Sequence, residues 1–342
     1  MNILLVRLGA LGDIVHAVPA AAALRAAMPE ARIDWLVDRK HRPVLDLVTG
    51  LDRVVTLDGR SIGAWVDVVR RLRAGQYDVA LDMQGLMKSA VLARASGARR
   101  VAGFSMWHLR EKTARPFYSE TDGGAGGGAP GTVHVIQKNL RLLRVLGIET
   151  DSVVFPFRAV DSNVAREVAA RDGGTPFAIL NPGAAWPNKR WPPDRFGEIA
   201  SFLRDVRRLR SVVLWGPGEE EVARAVVAAS AGAASLAPAT TLADLLALVR
   251  AASLVVSGDT GPIHLAAAVG SPVVGLYGPT DPDRNGPWAA DDVVVSRFPA
   301  CGCHYDRRCH EAAWCLGGVP VLEVTASVQA RLAAAGKSRP HV

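Results

Sequence analysis

Asn2-Ile-Leu-Leu-Val6 followed by Arg7-Leu-Gly9-Ala-Leu-Gly12-Asp13 is the stretch whose reading decides the fold. A short buried-strand run gives way to a glycine-bearing loop. Residues 14–28 then form an alanine-rich segment that reads as a helix, delayed or kinked at Pro19. Strand, loop and helix in that order make the βα unit of a parallel sheet. Working outward, residues 32–37 read as a strand, and after the stretch around 52–57, residues 62–74 read as a helix and 77–82 as a strand. Gln84-Gly85 turns into a helix reaching Ser96, residues 100–103 make another strand, and 134–146 a helix with Lys138, Arg141 and Arg144 on a basic face. The pattern restarts near Pro176. Strands are expected at 177–181, 211–215, 254–257 and 272–277, with helices at 194–204, 219–229, 242–251 and 262–269. The expected class is therefore α/β, with two facing doubly wound, Rossmann-like domains and a cleft between them, where open parallel sheets bind ligands at strand C-termini.

Length and charge bound the rest. A chain of 342 residues exceeds what one core serves, so domains are expected over 1–160 and 161–325, with a C-terminal helix or tail over 326–342. Hydrophobic residues at 49% and charged residues at 21% exclude a disordered chain. Lys plus Arg exceed Asp plus Glu by 40 − 33 = 7, which points to an anionic partner. Aromatic residues are only 6% and interleave with no basic run, which disfavours a nucleic-acid platform. No apolar run approaches the ~18 residues that span a bilayer, and the first run breaks at Arg7 before a signal-peptide core is complete. The expectation is a cytoplasmic protein that can still touch a membrane. The segment 123–131, GGAGGGAPG, reads as a flexible surface loop, either a tolerated insertion or a lid over an acceptor.

Four loops carry candidate chemistry. Arg7–Asp13 has G-x-x-G and not G-x-G-x-x-G, which weakens a nicotinamide or flavin reading and with it a dehydrogenase. Asp13 reads as a helix N-cap or as a lone carboxylate placed to act as a general base. Gly183-Ala-Ala-Trp-Pro-Asn-Lys189-Arg190 joins two cations to proline-stiffened aromatics, either as a solvated basic turn or as a phosphate site. Glu219, Glu220 and Glu221 open a helix, where they favour its dipole or accept ribose hydroxyls. Val256-Ser-Gly-Asp259-Thr260-Gly261-Pro-Ile-His264 ends a strand and starts a helix at about Pro262. Its free N–H groups and dipole make a diphosphate site, with Thr260 and His264 as further donors. Cys301, Cys303, Cys309 and Cys315, with His304 and His310, could hold a structural zinc, but C-x-C with five-residue gaps is not a regular zinc spacing. No catalytic metal is expected, and a zinc-stapled interaction protein is the non-enzymatic alternative.

With these motifs together, LGALGDIVHAVPAAAAL, LDMQGLMKSA, NPGAAWPNKRWP, GDTGPIHLAAAVG and LYGPTDP, the sequence resembles glycosyltransferase family 9, the ADP-heptose:lipopolysaccharide heptosyltransferases. The resemblance covers nearly the whole chain. It implies the GT-B architecture and inverting transfer of heptose from ADP-L-glycero-D-manno-heptose without a required metal or other cofactor. It implies Asp13 as general base and Lys189 as the cation offsetting charge on departing ADP. Gly183, Asp259, Thr260, Gly261 and His264 fall on the donor side, with one of Glu219, Glu220 and Glu221 on the ribose. Arg7, Gly12, Gln84 and Lys88 fall on the acceptor side. QGLMKSA, IDWLVD and GFSMWHLREKTARPFYSE look more like the enzyme adding the first heptose to Kdo-lipid A than the second. The partner would be an anionic lipopolysaccharide precursor at the inner membrane surface. A sugar-nucleotide 2-epimerase on two similar domains is the rival within the fold.

Overall fold

A computed structural model describes residues 1–122, 132–312 and 314–338; the loop expected at 123–131 lies outside the described residues. The chain divides into two units, Met1–Arg158 and Ala159–Val342.

In the first unit six strands form one sheet: β1 (Asn2–Val6), β2 (Arg32–Asp38), β3 (Arg53–Leu57), β4 (Val79–Asp82), β5 (Arg100–Gly103) and β6 (Glu120–Thr121). Their order is β3-β2-β1-β4-β5-β6, and every pairing is parallel. Ile3, Leu4, Leu5 and Val6 are all fully buried, as strands covered on both faces by helices require. The single helix expected over 14–28 is two, Leu11–Val15 and Val18–Ala27. Pro19 lacks an N–H to donate, so it sits in the first turn of the second, where none is needed. The basic helix over 134–146 is Val135–Leu142 continued by a tighter turn, Leu143–Leu146. Its Lys138 lies not on a solvated face but with Nζ donating to the His108 carbonyl and 3.9 Å over the Phe104 ring.

The second unit repeats the plan with β7 (Phe177–Asn181), β8 (Arg210–Val213), β9 (Ala234–Leu236), β10 (Leu254–Gly258), β11 (Val273–Tyr277) and β12 (Val293–Ser296). The order β12-β11-β10-β7-β8-β9 is the first sheet's order written from the other edge, again all parallel. Its core joins Trp191, Phe196, Ile199 and Leu203 to Val256 and Leu276. The C-terminal segment is not a separate tail: helix Val321–Ser338 sinks Val324 and Val328 into this core and pairs Arg331 with Asp292 at 2.8 Å. In each sheet the strand order reverses once, between β1 and β4 and between β7 and β10. Such switch points are where open α/β sheets take ligands.

Candidate functional site

Three of the four loops expected to carry chemistry leave these two switch points, after β1, β7 and β10, while the loop with Glu219 follows β8. After β7 the chain runs through Gly183 to a one-turn helix, Pro187–Lys189. After β10 it turns at Asp259-Thr260 into helix Gly261–Ala268, so the helix opens one residue before Pro262. Asp259 is the hub. Its Oδ2 accepts Lys189 Nζ at 2.5 Å and Thr280 Oγ1 at 2.8 Å, and its Oδ1 accepts His264 Nε2 and Asn285 Nδ2, each at 3.0 Å. Burial alone would raise its pKa; the His264 hydrogen bond and the Lys189 charge hold it far below the usual carboxylate range. Because a carboxylate only accepts, His264 must present an N–H at Nε2. Lys189 also stands 4.3 Å over the Trp186 ring. Asp259 and Lys189, expected as separate donor contacts, thus form one ion pair.

Glycines let this loop close. A Cβ at Gly258 would lie 2.7 Å from the Lys189 carbonyl oxygen, and one at Gly183 would lie 2.2 Å from Glu219 Oε2. Glu219 folds toward that backbone and accepts the Gly216 N–H at 3.1 Å. Glu220, expected beside it, instead pairs with Arg224 at 2.5 Å on an exposed helix face, so the structure does not bring it to the group. Thr260 caps the helix without a side-chain cap bond; its hydroxyl accepts from Asn181 Nδ2 at 2.9 Å, and the same amide reaches Ser257 Oγ at 2.9 Å. The turn thus leaves the first-turn N–H groups without a side-chain cap and presents the positive end of the helix dipole. Asn181, Ser257, Thr280 and Asn285 escaped the sequence reading. Asn181, Ser257 and Thr280 lie inside the quoted motifs NPGAAWPNKRWP, Val256–His264 and LYGPTDP, and Asn285 had no local signal.

In the first unit, Asp13 is not an N-cap. It is the third residue of helix Leu11–Val15, its Oδ2 accepting the Ala10 N–H at 3.2 Å and its Oδ1 meeting Arg7 Nη2 at 2.8 Å. Arg7, expected to face an acceptor, is 7% exposed and also donates to the Met83 carbonyl, so it positions Asp13. Gln84 Oε1 accepts the Leu8 N–H at 2.8 Å, tying the loop after β4 to the loop after β1. Gln84 is held in turn by Asp82, which accepts N–H groups from Gln84 and Gly85 and hydroxyls from Ser89 and Tyr118. Burial of Asp82 pushes its pKa up. Gly12 is buried in the first helix turn, and Lys88 lies half-exposed in the first turn of helix Met87–Ala95.

The cysteine segment follows β12. Cys301 and Cys303 are buried, and the Cys303 and Cys309 thiols are 3.4 Å apart. Among the described residues no group of three or more His, Cys, Asp or Glu is arranged to hold a metal ion. The segment also buttresses the loop after β7: Asn188 Nδ2 donates to the Asp306 carbonyl at 3.0 Å and Trp314 Nε1 to the Arg190 carbonyl at 2.8 Å. Among the described residues no helix is long and apolar enough to cross a membrane.

Comparison with known proteins agrees with this geometry. Residues 65–314 match the family model described as glycosyltransferase family 9 (heptosyltransferase). The chain is 31% identical over 316 residues to lipopolysaccharide heptosyltransferase 1 of Pseudomonas aeruginosa, covering 89% of this chain and 86% of that one. It is 27% identical to the enzyme of the same name from Escherichia coli K12, covering 86% and 93%. Among solved structures, a family 9 glycosyl transferase from Veillonella parvula superposes with a TM-score of 0.79 at 23% identity over 97% of each chain. The E. coli heptosyltransferase WaaC with ADP gives 0.75 at 24% over 96% of this chain and 99% of that one. The fold is that of the GT-B glycosyltransferases, and the chain belongs to glycosyltransferase family 9, the heptosyltransferases.

Proposed function

We propose that the chain moves heptose from ADP-L-glycero-D-manno-heptose, with inversion, onto the Kdo of a lipopolysaccharide precursor, adding the first heptose to Kdo-lipid A at the cytoplasmic face of the inner membrane. The observation that carries this reading is the Asp259 hub, which presents Lys189 beside the N-terminus of helix Gly261–Ala268. Loss of ADP from the anomeric carbon places negative charge on the diphosphate. Fixed N–H groups and a cation stabilise that charge without reorganising. An ammonium has three donors; with one spent on Asp259, two remain for phosphate oxygens. Glu219 is the carboxylate assigned to the ribose hydroxyls.

Inversion needs one base on the side opposite the leaving group, and Asp13 takes that role, receiving the proton as the acceptor hydroxyl attacks. Arg7 holds its carboxylate in place, with Gly12, Gln84 and Lys88 assigned to the acceptor. No cofactor enters the proposal. The choice of acceptor is supported by the names of the relatives in Pseudomonas, Salmonella and Escherichia, all lipopolysaccharide heptosyltransferase 1. The test is to incubate the protein with ADP-heptose and, in parallel, Kdo-lipid A and already heptosylated acceptors, following ADP release. Turnover with Kdo-lipid A alone is expected. Turnover only with heptosylated acceptor would move the enzyme to a later step, and donor consumption without acceptor would favour an epimerase or hydrolase.

A further inference from the structure

One feature of the first unit is unused by this chemistry. Met106 and Trp107 are 44% and 73% exposed at the tip of the turn that follows β5. The turn is firmly held. His108 and Leu109 N–H groups donate to the Ser105 carbonyl at 2.9 and 3.1 Å, Ser105 N–H donates to Asp122 at 2.9 Å, and Lys138 clamps the His108 carbonyl at 2.6 Å. Leu109 is buried beneath it. Two large apolar side chains are therefore held in water by an ordered frame.

Beside them the chain continues through Arg110, Glu111 and Lys112, all exposed. Glu111 N–H donates to the Gly85 carbonyl at 3.1 Å and its carboxylate accepts the Met87 N–H at 2.7 Å, which brings in a third exposed apolar residue, Met87, and its neighbour Lys88. Among the described residues the acid of this patch is thus engaged by a helix N-terminus, while the exposed Arg110 and Lys112 follow the apolar pair in the chain and Lys88 stays with the acceptor assignment.

We propose that this surface docks the enzyme on an anionic lipid membrane. Met106 and Trp107 enter the boundary between headgroups and acyl chains, where an indole's apolar body and polar N–H are both satisfied. Arg110 and Lys112 meet lipid phosphates, each attracted by the negative surface potential. The proposal rests on the reading that the acceptor is a membrane-anchored lipopolysaccharide precursor.

The test uses the full chain and vesicles of phosphatidylglycerol with phosphatidylethanolamine, against pure phosphatidylcholine vesicles. Wild-type protein is expected to co-sediment with the anionic vesicles, the double variant Met106→Ser/Trp107→Ser at least about tenfold more weakly. A second variant, Arg110→Glu/Lys112→Glu, is expected to lose the preference for anionic lipid. Transfer to a soluble, deacylated Kdo acceptor should be the same for wild type and the first variant. Equal sedimentation of wild type and first variant, indifference of wild type to lipid charge, or a wild-type dimer dissolved by the first variant would overturn the docking surface. Absence of soluble transfer by every protein would overturn the proposed activity instead, with the vesicle result standing on its own.

Discussion

Replacing Asp259 by Asn keeps the side chain's shape and removes its charge. Asp259 is 8% exposed and accepts four donors, two on each oxygen. An amide in its place offers only one oxygen. Its NH2 then faces either Lys189, which can only donate, and Thr280, whose hydroxyl must rotate to accept, or His264 and Asn285, which must change tautomer and flip to accept. Neutralising one partner of a buried ion pair costs about 3–5 kcal/mol. Lys189 is 14% exposed at its side chain and recovers some hydration, which places the cost near the lower end, about 3 kcal/mol. At roughly 2–4 °C per kcal/mol for a unit of this size, the transition of the second unit should fall by about 6–12 °C in a thermal melt. Isothermal titration should show ADP binding weakened in the same variant, because Lys189 loses the group that aims it. The pH dependence has a definite sign. Asp259 is held far below the usual carboxylate range in the folded state, so its contribution is complete above the unfolded aspartate pKa of about 4. That contribution is lost as pH falls from there toward the folded value. The stability difference between wild type and variant should therefore narrow as pH drops below about 4. A melting temperature within about 2 °C of wild type, or a difference that stays constant from neutral pH to pH 3, would refute the hub.

Three further substitutions test neighbouring assignments. Asp13→Ala should fold and bind ADP as wild type does, yet lose transfer by roughly 10²–10⁴-fold, the usual worth of a general base; near-normal turnover would remove it from that role. Lys189→Ala should weaken donor binding and turnover together, by roughly 10–100-fold if it makes charge-assisted bonds to phosphate; unchanged kinetics would take it out of the donor site. Gly258→Ala puts a methyl 2.7 Å from the Lys189 carbonyl oxygen, a backbone atom that cannot swing aside, so ADP affinity should fall. Wild-type affinity there would mean that the loop's position does not matter to the donor.

Much of this was legible because parallel strands are buried on both faces and announce themselves as apolar runs. β1, β5, β7 and β10 lie where those runs stand in the sequence. β6 and β9 are edge strands of two and three residues with partly exposed side chains, too short for any periodicity. Helix Val321–Ser338 was underestimated although Val321, Val324, Val328 and Leu332 place an ordinary amphipathic stripe against the core. The glycine-bounded turn at 258–261, with a helix opening behind it, was readable from its local spacing. That Asp259 is its hub was not, because three of its four partners lie 21 to 70 residues away. Arg7 was misjudged for the same reason: Met83 is 76 residues distant, and no local pattern tells a strand-end arginine to turn inward.

The three aspartates that follow or end the strands at the switch points separate the roles by environment alone. Asp82, at the end of β4, is fully buried and receives only neutral donors, so burial raises its pKa and it serves to set the Gln84 turn. Asp259, after β10, is nearly as buried but faces a lysine and a histidine, so it stays ionised across the working range and cannot cycle a proton during turnover. Asp13, after β1, keeps 27% of its side chain exposed and is gripped by Arg7 through one oxygen, with the other oxygen turned to the Ala10 N–H at a long 3.2 Å. A general base must accept a proton from an incoming hydroxyl and release it afterwards, which demands access to both substrate and solvent. Of the three carboxylates only Asp13 keeps the solvent access that the proposed base role requires, and because β4 and β10 hold equivalent places in the two sheets, the difference between Asp82 and Asp259 arises from side-chain surroundings and not from strand order.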